Sequence, residues 1–114
     1  MTGDKSRQAR FGKVLRNVRL EEEVSSFMNR FAEDNNLYVF EVYDQAVSTF
    51  LSSQKGHHPT LRVSPRSAPH CGFWIKESTL KKAEAFAQNL DCPTNRLLYT
   101  AIWTWYENKG LQKN

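Results

Sequence analysis

Three histidines and two cysteines are the residues best suited to hold a metal: His57, His58, His70, Cys71 and Cys92. Zinc is usually held by closely spaced pairs of such donors. The spacing here fits no zinc-ligand pattern, and His58-Pro59 reads more simply as a turn, so neither a metal nor another cofactor is expected. Serine, cysteine, histidine and aspartate are all available for nucleophilic catalysis. No nucleophile elbow, phosphate loop or paired-carboxylate motif organises them. A chain of 114 residues also leaves little room for a substrate pocket beside its core. The residues therefore read as those of a non-enzyme without a small-molecule substrate.

The cations are better organised. Between Met1 and Arg19 stand Lys5, Arg7, Arg10, Lys13, Arg16 and Arg19 against a single acid, Asp4. Between Ser53 and Lys76 stand Lys55, Arg62, Arg66 and Lys76 with no acid. Two basic blocks in a chain of net charge +4 point to a polyanionic partner. A solvated basic arm and a basic linker would look the same. No apolar run approaches the ~18 residues of a membrane span. The polar start is not a signal peptide, and it resembles the beginning of a longer protein. Two thiols without an export signal suggest a reducing cytoplasm.

An internal repeat sets the elements that must position these residues. Displaced by 55 residues, 18–51 falls on 73–106 without an insertion. Glu22 then meets Glu77, Phe31 meets Phe86, Ala32 meets Ala87, Ala46 meets Ala101 and Thr49 meets Thr104. The coincidences sit at core positions of a structural repeat. Each copy opens with a short strand, Asn17-Val18-Arg19-Leu20 or Gly72-Phe73-Trp74-Ile75, which alternates in the first copy with the period of a strand. A helix follows, with Val24, Phe27, Met28, Phe31 and Ala32 on one face, or Leu80, Ala83, Phe86, Ala87 and Leu90. Ser78 or Thr79 stands near the start of the latter. After the turn signals Asp34-Asn35-Asn36 and Asp91-Cys92-Pro93 comes a second helix, with Gly110 as the expected cap of the last one.

One strand-helix-helix unit leaves a lone strand unpaired and an apolar face open. Two units in one chain remove both defects, because their strands can pair antiparallel over a core of four helices. The expected fold is thus mostly α with a two-stranded antiparallel ribbon. Its parts are a basic N-terminal arm over 1–12, a first unit over 13–53, a Pro-rich crossover over 54–69 and a second unit over 70–110. Both units belong to one pseudo-dimeric domain, a monomer in solution.

Asn17-Val18-Arg19-Leu20-Glu21 and Glu41-Val42-Tyr43-Asp44-Gln45-Ala46-Val47-Ser48-Thr49-Phe50 resemble the ribbon-helix-helix repressors of the Arc and MetJ type. Two copies cover about four-fifths of the chain. The tandem arrangement is similar to that of accessory DNA-binding proteins of T-DNA transfer, of the virulence C type, and of conjugation. The resemblance implies double-stranded DNA as partner, with a relaxase or other DNA-transfer protein nearby. In this family the ribbon lies in the major groove and alternate strand residues touch base edges.

Parity then places Val18, Leu20, Phe73 and Ile75 inward, with Asn17, Arg19, Gly72 and Trp74 as the base-contacting set. Arg19 suits guanine and Asn17 suits adenine. Trp74 suits a thymine methyl or the sugar edge, so a palindromic target is not expected. His70 is a candidate contact at the ribbon end. The same parity puts Leu15 outward and Arg16 inward, which a bulge near Arg16 would reverse. Phosphates are expected at Lys5, Arg7, Arg10, Lys13 and Arg16. They are also expected at the helix-start amides of Tyr38, Val39, Thr94 and Asn95.

Tyr99, Trp103 and Tyr106 form a stripe offset from the core face of the last helix. Either that helix is buried on both sides by the crossover, or the stripe is a partner-binding patch. Three functions follow from these alternatives: a DNA-transfer accessory factor, a transcriptional repressor with the same head, and a protein-interaction module using the aromatic helix.

Overall fold

A computed structural model describes residues 12–54 and 60–110. Six elements follow in order: β1 (Lys13–Arg19), α1 (Glu22–Asp34), α2 (Val39–Ser53), β2 (His70–Lys76), α3 (Glu77–Asn89) and α4 (Thr94–Lys109). The fold is mostly helical, with four helices and one two-stranded antiparallel sheet.

The strands pair along their full length, from Lys13 opposite Lys76 to Arg19 opposite His70. The ladder runs one step further at each end, where Leu20 N–H donates to the Pro69 carbonyl (3.0 Å) and Glu77 N–H to that of Gly12 (2.9 Å). Because side chains alternate across a strand, Val14, Arg16 and Val18 share the inner face with Cys71, Phe73 and Ile75. Val18, Phe73 and Ile75 are buried. Phe73 stacks on Tyr43 of α2 at 4.3 Å between ring centroids and 7° between planes. The register is unbroken, so the expected bulge near Arg16 does not form. Arg16 stays on the inner face beside this stack, and its long side chain reaches sideways to polar groups on α3 and α4.

The helices recur at the spacing seen in the sequence. Glu22 and Glu77 open α1 and α3, and Val39 and Thr94 open α2 and α4, each pair 55 residues apart. Asn36 and Asp91, also 55 apart, turn the chain between helices with φ of 56° and 57°. Asn and Asp enter this left-handed region more readily than other non-glycine residues. The strand-helix junctions are clasped alternately. Asp44 of α2 accepts a hydrogen bond from Lys76 N–H (3.2 Å), just before α3. Its counterpart, Tyr99 of α4, donates to both Glu21 carboxylate oxygens (3.0 Å each), just before α1.

Helix α3 starts at Glu77, so Ser78 and Thr79 stand in its first turn, near the start as expected, and Thr79 is buried. Gly110 caps the C-terminus of α4 as expected, with φ of −97° rather than in the left-handed region, and its N–H donates to the Tyr106 carbonyl (2.7 Å). A Cβ there would lie 2.9 Å from the Tyr106 carbonyl oxygen and 3.1 Å from the Phe27 ring, so close packing explains the glycine. The aromatic stripe is no exposed patch. Tyr99 is 2% exposed and Tyr106 is buried. Trp103 is half-buried, with the Arg62 guanidinium 4.4 Å from its ring centroid. The crossover lies along this side of α4, where Arg62 N–H donates to Thr100 Oγ1 (2.8 Å). Among the described residues, no helix is long and apolar enough to cross a membrane.

Candidate nucleic-acid interface

The outer face of the ribbon carries Lys13, Leu15, Asn17 and Arg19 from β1 and His70, Gly72, Trp74 and Lys76 from β2. No carboxylate stands on either strand. The four residues expected to contact bases, Asn17, Arg19, Gly72 and Trp74, therefore share one face. Leu15 and Lys76 belong with them. Strand parity was the signal for both, and the supposed bulge obscured it for Leu15, which is 51% exposed.

Asn17 lies opposite Gly72. A Cβ on Gly72 would meet Asn17 Oδ1 at 3.0 Å and Leu15 Cδ1 at 3.7 Å. The glycine thus leaves room for the Asn17 amide to lie across the ribbon. Trp74 stands opposite Leu15, an apolar step suited to a thymine methyl. At the other end, Arg19 faces the exposed His70 and donates from Nη1 to the Ala68 carbonyl (2.8 Å).

The helix starts flanking the ribbon differ from expectation. At α2, Tyr38 N–H already donates to Glu41 Oε1 (2.8 Å), so this amide is committed to a capping box. The Tyr38 ring is 57% exposed and stacks with Phe40 at 5.9 Å. Lys13 Nζ lies 4.5 Å from the Phe40 ring centroid. At α4, the amides of Thr94 and Asn95 belong to the first turn, which has no intrahelical acceptors. The Asn95 side chain is also used. Its Oδ1 accepts from Arg16 Nη2 (2.7 Å), and its Nδ2 donates to the Asn17 carbonyl (3.1 Å). Arg16 Nη1 is 3.8 Å from a Glu84 carboxylate oxygen. Arg16 is therefore braced between α3 and α4, with part of its guanidinium in solvent. Lys5, Arg7 and Arg10, the expected phosphate-binding arm, lie outside the described residues.

Beneath the ribbon two tyrosine hydroxyls are held protonated beyond their ordinary range. Burial, and then the bond to Glu21, pushes the Tyr99 hydroxyl up to about 12. Burial and the neighbouring Cys71 thiol, 3.5 Å away, raise that of Tyr43 as well. Among the described residues, no cluster of three His, Cys, Asp or Glu could hold a metal. His57 and His58 lie outside those residues. No family model, curated protein or solved structure matches the chain.

Proposed function

We propose that this protein binds double-stranded DNA with sequence preference by laying its ribbon in the major groove. The carrying observation is the outer face of that ribbon, where Lys13, Arg19 and Lys76 surround Asn17 and no acid intervenes. A major groove about 12 Å wide admits a two-stranded ribbon and displays a distinct pattern for every base pair. In this reading the halves form one pseudo-dimeric ribbon-helix-helix head. Its approximate two-fold axis passes between Asn17 and Gly72, which face each other and share the 55-residue spacing of the helices. Arg19 then corresponds to Trp74, and Leu15 to His70. Unlike residues at matched positions favour an asymmetric target. Following the resemblance in sequence, we propose an accessory role in T-DNA or conjugative DNA processing, beside a relaxase.

Fluorescence anisotropy with random and selected duplexes, across a salt series, tests the reading. Preference for particular duplexes is expected. Arg19→Ala costs ~1–3 kcal/mol on the preferred duplex and relaxes one base position. Salt-sensitive binding without any preference, unchanged in Arg19→Ala, would leave only non-specific basic attraction.

A further inference from the structure

The described part of the crossover, 60–69, meets the end of the ribbon through two hydrogen bonds. Two consecutive carbonyls meet consecutive residues of the first strand's end. Ala68 O accepts from the Arg19 guanidinium at 2.8 Å, and Pro69 O accepts from Leu20 N–H at 3.0 Å. The acceptors are themselves held. Ala68 is buried, and its N–H donates to the Pro65 carbonyl at 3.2 Å. A residue preceding proline is confined to extended conformations, so Pro69 restricts where the Ala68 carbonyl can point. Further back, the bonds between Arg62 and Thr100 fasten the crossover to α4. A tether that only joined two units would need none of these contacts.

We infer that the Pro65–Pro69 turn is a positioning element for sequence discrimination, holding Arg19 in the orientation in which it reads a base. The inference rests on the proposed DNA-binding face. An arginine presents five N–H donors, and the bond to Ala68 uses one. The remaining donors keep the paired edge that recognises guanine. Holding one corner of the guanidinium removes rotamer freedom that would otherwise be lost on binding. The device is one-sided. At the opposite end of the ribbon, the extra ladder bond from Glu77 N–H runs to Gly12 rather than to the crossover.

The test is a double-mutant cycle on the full chain, using Pro69→Gly, Arg19→Ala and the pair. Each protein is assayed by anisotropy on the preferred duplex and on one with the Arg19-dependent base pair changed. Thermal melts without DNA identify a loss of fold, and Pro65→Gly serves if Pro69→Gly does not fold. The expected result is a loss of discrimination at that base pair by about three- to tenfold in Pro69→Gly, from freed side-chain motion. The salt slope should not change, because phosphate contacts are untouched. In the Arg19→Ala background the proline change should have no further effect on discrimination, which a merely structural role would not produce. Unchanged discrimination in a folded Pro69→Gly protein overturns the inference. Tighter binding in that variant also overturns it, because the turn would then be withholding Arg19 from DNA. If Arg19→Ala itself leaves discrimination intact, the failure belongs to the proposed reading face.

Discussion

The two halves of the molecule place their helices at the same spacing and equip them differently. At the start of α2, a glutamate caps the helix from within and the Tyr38 and Phe40 rings stack on each other. At the start of α4, Pro93 precedes a first turn without acids, and Asn95 ties that turn to the ribbon. The clasps differ too. Asp44 holds its junction through a backbone amide, whereas Tyr99 holds the equivalent one through a carboxylate. On the inner face, Val18 in one half corresponds to Phe73 in the other, and only Phe73 has a ring stacked on it. Helices at the same sequence spacing are thus held by different side-chain contacts.

Several substitutions can break or sharpen this comparison. The largest effect is expected in the core. Phe73→Ala removes the ring under Tyr43 and should cost about 3–5 kcal/mol in chemical denaturation. Val18→Ala, its counterpart, should cost less because fewer atoms are lost. Equal costs would mean that the Tyr43 stack adds nothing to the second half.

A smaller effect is expected at the braced arginine. Arg16→Ala should weaken binding of all duplexes alike, by about 1 kcal/mol, and reduce the salt slope by about one. A change confined to one base position would instead make Arg16 a reader.

Alkaline titration separates the clasps. Unfolded tyrosine loses its proton near 10.0, while Tyr99 in the fold holds it to about 12. Below that window both states are neutral. As pH rises through it, the unfolded chain ionises first, so the stability from the protonated hydroxyl is progressively lost. Tyr99→Phe should flatten the fall in melting temperature above about pH 10. Asp44→Asn, which keeps an acceptor for Lys76 N–H, should leave that slope unchanged.

The smallest effect belongs to the α2 cap. Glu41→Gln keeps an acceptor for Tyr38 N–H and removes the charge. Non-specific DNA affinity should then rise by about twofold at low salt and converge with wild type as screening grows. No gain at low salt would place the start of α2 away from the DNA.

Much of this architecture is legible in the residues because it depends on short-range periodicity. Alternation at Asn17-Val18-Arg19-Leu20 marks a strand, and Val24, Met28 and Ala32 mark a buried helical stripe. The 55-residue repeat indicates that a second strand exists to pair with the first. Arg16 was harder to place because an inward charge on a strand looks like an error until its partners are known. Those partners, Asn95 and Glu84, lie 79 and 68 residues away. Tyr99, Trp103 and Tyr106 were ambiguous because the covering Arg62 comes from an irregular segment without a period.

The sequence by itself therefore determined the elements, their order and the outward set Asn17, Arg19, Gly72 and Trp74, whereas the unbroken register at Leu15 and Arg16 came from the fold. The elements and that outward set follow from alternation and helical period, which are properties of neighbouring residues. Only the tertiary structure decided that Glu41 occupies the Tyr38 amide, that Asn95 braces Arg16, that Arg62 of the crossover covers Trp103, and that Ala68 holds Arg19. Except for the local cap, each joins distant parts of the chain, and long side chains can satisfy their polar ends in several ways. Packing selects among those ways, because leaving a buried donor or acceptor without a partner costs stability.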